Sequence, residues 1–199
     1  MASATPELAP SEATMAASAS QTAGPYWHLV DFPEWADTTR HFAENLPEGE
    51  RIVLTGTLRD GTGALVTDAM VEIWHADPSG KYPDQSGDPT AFQGYGRCAT
   101  DKEGRFRFVT LKPGPVPTRP GANTMQAPHV ALIVFARGLL HHLTTRLYFE
   151  GEAMNRNDPV LSAVPAARRG TMVARRTAPD TWNLDLRLQG EDETVWLAV

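Results

Sequence analysis

Trp182-Asn183-Leu184-Asp185-Leu186-Arg187-Leu188 alternates apolar and polar side chains without an error. Successive residues of a strand point to opposite faces, so this period of two puts Trp182, Leu184, Leu186 and Leu188 against one core and leaves Asn183, Asp185 and Arg187 wet. The same period recurs upstream in Val71-Glu72-Ile73-Trp74. A third half-buried run, residues 51–58, closes on the turn Asp60-Gly61-Thr62-Gly63.

Working outward, residues 97–100 and 105–111 flank Asp101-Lys102-Glu103-Gly104, which reads as a four-residue hairpin connection. Residues 129–136 are almost continuously apolar and predict a central strand buried on both faces, with residues 143–149 beside it. Further strands are expected over residues 172–176 and 195–199, and one short surface helix over residues 34–46. The 16 glycines and 16 prolines favour many short elements joined by turns. The expected fold is therefore all-β: an antiparallel β-sandwich with long loops and an extended N-terminal arm. One sandwich domain is expected over residues 21–199, preceded by a disordered or partner-ordered head over residues 1–20. Two loops, residues 77–96 and 112–127, are too long to be mere connections, and such loops are where binding usually lies.

The composition excludes several functions. A net charge of −6 gives no electrostatic reason to expect nucleic acid or an anionic membrane as partner. Cys98 is the only cysteine, so no intrachain disulfide or cysteine-based zinc cluster forms, and it reads as a small buried hydrophobe. No stretch approaches the roughly 18 apolar residues of a membrane span. Residues 1–20 lack the basic and apolar regions of a signal peptide, so a cytoplasmic, bacterial-type protein is expected.

The residues themselves show little chemistry. Nucleophile elbow, phosphate loop and dinucleotide fingerprint are all missing. Two histidines spaced two apart on a strand share a face and can share an ion, but this chain has no such pair. His141 and His142 are adjacent and would point apart, and His28, His41 and His75 are scattered. Taken alone, the residues allow a metal-free binding or scaffold module as readily as an enzyme.

Several strings change that reading. Val71-Glu72-Ile73-Trp74-His75-Ala76-Asp77, with Gly80-Lys81-Tyr82 after it, resembles a segment of the intradiol ring-cleavage dioxygenases. Gly96-Arg97-Cys98-Ala99-Thr100-Asp101 with Gly104, Lys112-Pro113-Gly114-Pro115 and Arg146-Leu147-Tyr148-Phe149-Glu150-Gly151 resemble that family's later segments, in order and spacing. The resemblance implies a β-sandwich and a non-heme Fe(III) held by two tyrosines and two histidines. Tyr82 and His129 match one ligand of each kind, whereas the other two positions are Val116 and Ala131. Two of four ligands are gone, so the resemblance implies that this chain holds no metal of its own. It points to the family's two-chain members, in which an obligate, homologous β subunit carries the Fe(III) and αβ pairs assemble into larger oligomers.

The implied reaction is cleavage of protocatechuate (3,4-dihydroxybenzoate) with O2 to 3-carboxy-cis,cis-muconate, a step of aromatic catabolism. Ser20-Gln21-Thr22-Ala23-Gly24-Pro25-Tyr26 and Phe135-Ala136-Arg137-Gly138 resemble the segments that reach the partner's substrate pocket. Gly24, Pro25, Tyr26 and Arg137 are accordingly the expected substrate-pocket residues, with no catalytic residue in this chain alone. A plain turn at Gly24-Pro25 and a surface ion pair at Arg137 are the structural alternatives.

Overall fold

Strand β1 (Arg51–Arg59) alternates in burial along its whole length, with Ile52, Leu54 and Leu58 turned fully inward. The computed structural model of the chain, which describes residues 33–41, 43–83 and 92–198, arranges two sheets as a sandwich. In the first, β1 lies between antiparallel β4 (Arg105–Leu111) and, on its other edge, parallel β10 (Thr181–Asn183) and β11 (Leu186–Arg187). The second runs β3 (Tyr95–Ala99), β2 (Met70–Trp74), β7 (His129–Phe135), β8 (Leu143–Phe149), all neighbours antiparallel. Strand β9 (Val173–Ala178) pairs with both β10 and β8, so it stitches the two layers together. The only other strands among the described residues are the two-residue pair β5 (Val116–Pro117) and β6 (Met125–Gln126).

The core fills the space between the layers. Ile52, Leu54, Phe106, Phe108, Trp182, Leu184 and Leu186 come from the first sheet's side, and Val71, Ile73, Val130, Leu132, Val134, Leu147 and Phe149 from the second. Each large side chain buried there contributes about 1.5–3 kcal/mol of transfer free energy. Cys98 is buried among them, as a small hydrophobe should be.

Several expectations need correction. The sandwich is mixed rather than wholly antiparallel, because β10 and β11 return to the free edge of β1 after a long excursion that no hairpin constrains. Asp101-Lys102-Glu103-Gly104 is a well-formed turn, with Asp101 Oδ1 accepting from the Glu103 and Arg105 amides and Gly104 at φ 67°. It is no hairpin, however: β3 pairs with β2 and β4 with β1, so the turn carries the chain from one layer to the other. Strand β7 is central but buried on one face only, since Val130, Leu132 and Val134 are fully covered while Ala131, Ile133 and Phe135 are half-buried.

Smaller departures have local causes. Residues 182–188 keep their alternating burial but break into β10 and β11, where Asp185 Oδ1 replaces a ladder carbonyl as acceptor for the Thr57 amide. Residues 34–46 form a 3-10 turn (Pro33–Ala36), the short helix α1 (Thr38–His41) and a second 3-10 turn (Ala43–Asn45); Asp37 interrupts them by capping Thr39 with its side chain. Residues 195–198 lie against β8 without forming a strand. The long loop over residues 112–127 is pinned by β5 and β6. The head and the candidates Gly24, Pro25 and Tyr26 lie outside the described residues, as does part of the first long loop.

Candidate pocket on the outer face of the second sheet

The two loops that bear Tyr82 and Val116 are locked together by their glycines. Asp77 Oδ1 accepts from the Ser79 amide and hydroxyl and from the Lys81 amide, folding residues 77–81 into a tight turn. Gly114 donates its amide to the Asp77 carbonyl. A Cβ at Gly80, where φ is 82°, would lie 2.1 Å from the Pro115 carbonyl oxygen, and one at Gly114 would lie 2.3 Å from that of Pro78. Only glycine permits this backbone contact. The strings Gly80-Lys81-Tyr82 and Lys112-Pro113-Gly114-Pro115 are thus two halves of one joint. From it Tyr82 stacks on Trp74, with ring centroids 5.9 Å apart and planes 11° from parallel.

Trp74 stands directly across from Ala131, and Ala131 directly across from Arg146, on the three adjacent strands β2, β7 and β8. Cross-strand partners share a face, so a methyl group is flanked there by an indole and a guanidinium. Arg146 Nη1 donates to Gln126 Oε1 at 2.7 Å and to the Tyr148 hydroxyl at 3.4 Å, and Gln126 is in turn the ladder partner of Val116. Two residues along β7, His129 sits against the Tyr148 ring, 5.8 Å between centroids. Val116, His129 and Ala131, three of the four positions that the sequence resemblance matches to ligands, therefore gather on this outer face or beside it, and Tyr82 joins them through Trp74.

His129 is buried, and its Nδ1 donates to the Ala127 carbonyl at 2.7 Å, which leaves Nε2 as an acceptor. Burial first, and then the charge of Arg146, pull its pKa down to about 4, so the ring is neutral at pH 7. Tyr148 donates to Asp158 Oδ1 at 2.9 Å, and burial raises its pKa well above the usual phenol range. Asp158 also accepts from the Ala127, Val160 and Leu161 amides, which ties the start of β7 to the helix α2 (Pro159–Ala163). His75 is a satisfied core histidine: its Nδ1 donates to the Ala76 carbonyl and its Nε2 accepts from Thr110. Burial brings it too down to about 4.

Arg137 lies apart from all of this. It follows the far end of β7, eight residues beyond His129 and roughly 25 Å away along an extended strand. It is 85% exposed, and its Nε lies 2.6 Å from Asp68 Oδ2 in an ion pair. The surface ion pair expected as its structural alternative is present, yet it occupies only one edge of the guanidinium. The terminal Nη1/Nη2 edge stays open to solvent.

A family model described as Dioxygenase matches residues 22–190. The chain belongs to the intradiol dioxygenase family. Among its relatives are the protocatechuate 3,4-dioxygenase alpha chains of Burkholderia cepacia, 38% identical over 94% of this chain and 99% of that one, and of Pseudomonas putida, 41% identical over 89% and 94%. The protocatechuate 3,4-dioxygenase beta chain of Burkholderia cepacia is 35% identical over 79% of this chain and 73% of its own. In three dimensions the dioxygenase domain of a carbohydrate-binding fusion protein from Streptomyces sp. SirexAA-E superposes with a TM-score of 0.55 at 26% identity, over 72% of this chain and 82% of that one.

The metal of intradiol dioxygenases is iron, and the donors on this chain do not fit it. Valine and alanine carry no lone pair to replace the missing ligands. Tyr148, the phenol beside His129, is held protonated and committed to Asp158. Among the described residues no group of three or more His, Cys, Asp or Glu side chains is arranged to hold a metal ion. The sequence points to Tyr82, Val116, His129 and Ala131 but not to Trp74, Gln126 and Arg146. The available signal is Arg146 itself, a cation within an otherwise apolar and hydroxyl-bearing strand.

Proposed function

We propose that this chain is the α subunit of a bacterial, cytoplasmic protocatechuate 3,4-dioxygenase, acting with a homologous β subunit that carries the Fe(III). The joint activity is intradiol cleavage of protocatechuate with O2 to 3-carboxy-cis,cis-muconate. The observation that carries the reading is the donor set: a chain that keeps the family's fold and glycine joint, yet has Val116 and Ala131 where ligands belong, is built to serve a metal held elsewhere. The naming of its nearly full-length relatives as alpha chains supports the same assignment.

In this reading the chain supplies one wall of the partner's pocket. Gly24, Pro25 and Tyr26 approach it from the N-terminal arm, and Arg137 meets the substrate carboxylate. The arginine suits that task because its planar donors match a carboxylate in a two-point contact, and Asp68 leaves the two-nitrogen end free for it. A chain of net charge −6 repels an anionic substrate at long range, so a local cation has to reverse that field.

The test is expression of the chain alone and together with its β partner, followed by metal analysis and visible spectroscopy. Alone, it should bind no stoichiometric iron and lack the tyrosinate-to-iron colour. Together, the coloured complex should contain one iron per αβ pair. A coloured, iron-loaded homo-oligomer of this chain alone would overturn the assignment.

A further inference from the structure

Within its own degenerate pocket the chain retains something other than a remnant. Ala131 forms the floor of a notch whose walls are Trp74 on β2 and Arg146 on β8, each one strand away. Strands in a sheet are about 4.8 Å apart, so the walls stand roughly 10 Å from each other, enough to admit a flat ring between them. Trp74 is held in place by its stack on Tyr82 and remains 36% exposed. Arg146 is half-buried and braced through Nη1 by Gln126 and Tyr148, while its Nε and Nη2 make no hydrogen bond to the described residues. No carboxylate among the described residues forms an ion pair with it. Asp158, across Tyr148, accepts from three amides and the phenol.

A half-buried guanidinium with its fork edge free is costly to leave unmatched, and carboxylates fit that edge. We propose that Trp74, Ala131 and Arg146 form a metal-independent binding slot for a small aromatic carboxylate. Arg146 holds the carboxylate and the indole covers the ring. Ala131 matters because it is small, leaving the space that a larger side chain would fill. Here a fixed side-chain cation supplies the positive charge, so the ligand needs no vicinal hydroxyls. The inference rests on the reading above that this chain's own pocket carries no iron.

The test uses the assembled αβ complex and 4-fluorobenzoate, which has no hydroxyl pair to chelate a metal, with binding followed by fluorine NMR and equilibrium dialysis. Compared with the wild-type complex, Arg146→Gln should lose one binding equivalent per αβ pair, or bind that equivalent at least about tenfold more weakly. Ala131→Leu should lose the same equivalent by filling the notch while keeping the cation, which separates occupancy of the slot from a folding defect at Arg146. Cyclohexanecarboxylate should bind the slot less well than the aromatic probe. If both variants bind as many equivalents as wild type with unchanged affinity, no such slot exists. Iron counted on the same samples keeps the two readings apart: two irons per pair would sink the subunit assignment, whereas an unchanged benzoate isotherm with one iron would sink only the slot.

Discussion

The two faces of β7 do different work, although their residues alternate one by one along seven positions. Val130, Leu132 and Val134 are fully buried between the sheets and surrounded by other aliphatic and aromatic side chains. His129, Ala131, Ile133 and Phe135 face the other way, and three of those four are only half-covered. The inner face therefore specifies the fold and tolerates only apolar shapes of the right size. The outer face carries Ala131, a position that the family resemblance matches to a metal ligand, and the methyl group there leaves the layer beneath intact. A strand with one committed face and one free face can lose a chemistry and keep an architecture.

That contrast is broken most severely from the inside. Leu132→Ala should destabilise the folded chain by about 2–5 kcal/mol, since it empties a fully buried site flanked by both sheets. Denaturant titration against wild type measures it, and a change below 1 kcal/mol would mean the inner face is not the structural one.

At the open end of the same strand, Arg137→Ala should cost function rather than fold. A hydrogen bond to a charged group contributes about 1.5–3 kcal/mol, so KM for protocatechuate in the αβ complex should rise roughly ten- to a hundredfold. Unsubstituted catechol should suffer much less, and neither iron content nor thermal midpoint should move, because the pair with Asp68 is largely exposed. Equal losses for both substrates would show that Arg137 secures an interface instead of reading a carboxylate.

Acid sharpens the comparison more gently. His75 and His129 are held near pKa 4 by burial, below the ordinary value of 6.5. Below pH 6.5 the unfolded chain takes up protons that the folded chain refuses, so stability present at neutral pH is lost as pH falls toward 4. Each histidine contributes a slope approaching about 1.4 kcal/mol per pH unit in that window. Denaturation midpoints between pH 6.5 and 5 should fall in wild type, and less steeply in a His75→Gln variant that removes one titration. A flat profile would place both rings in far wetter surroundings.

The inner face was legible in the sequence because its signal is periodic. The 182–188 alternation and the Val71–Trp74 pattern gave the right side chains to the core, and the glycine strings marked real constraints at Gly80, Gly104 and Gly114. What failed was pairing. The Asp101 turn has ordinary hairpin chemistry, and nothing local says that its two strands belong to different layers. The parallel return of β10 depends on an edge left open far upstream. The outer face misled for a related reason: Ala131, Ile133 and Phe135 are as apolar as their buried neighbours, so composition could not separate a covered face from one left half-open. Arg146 and Gln126 escaped notice because their contact joins positions 20 residues apart.

The placement of β10 and β11 beside β1 also sets a timetable for the growing chain. Thr55 and Asn183 meet across 128 residues, so an early strand emerges from the ribosome long before the neighbours for one of its edges exist. Until then only β4 can shield it, and the other edge offers unpaired amides and carbonyls to any passing strand. Closing so long a loop is slow compared with forming hairpins. The interval between synthesis of residue 59 and residue 181 is thus the period in which this chain is most exposed to mispairing, and the appearance of β10 and β11 ends it.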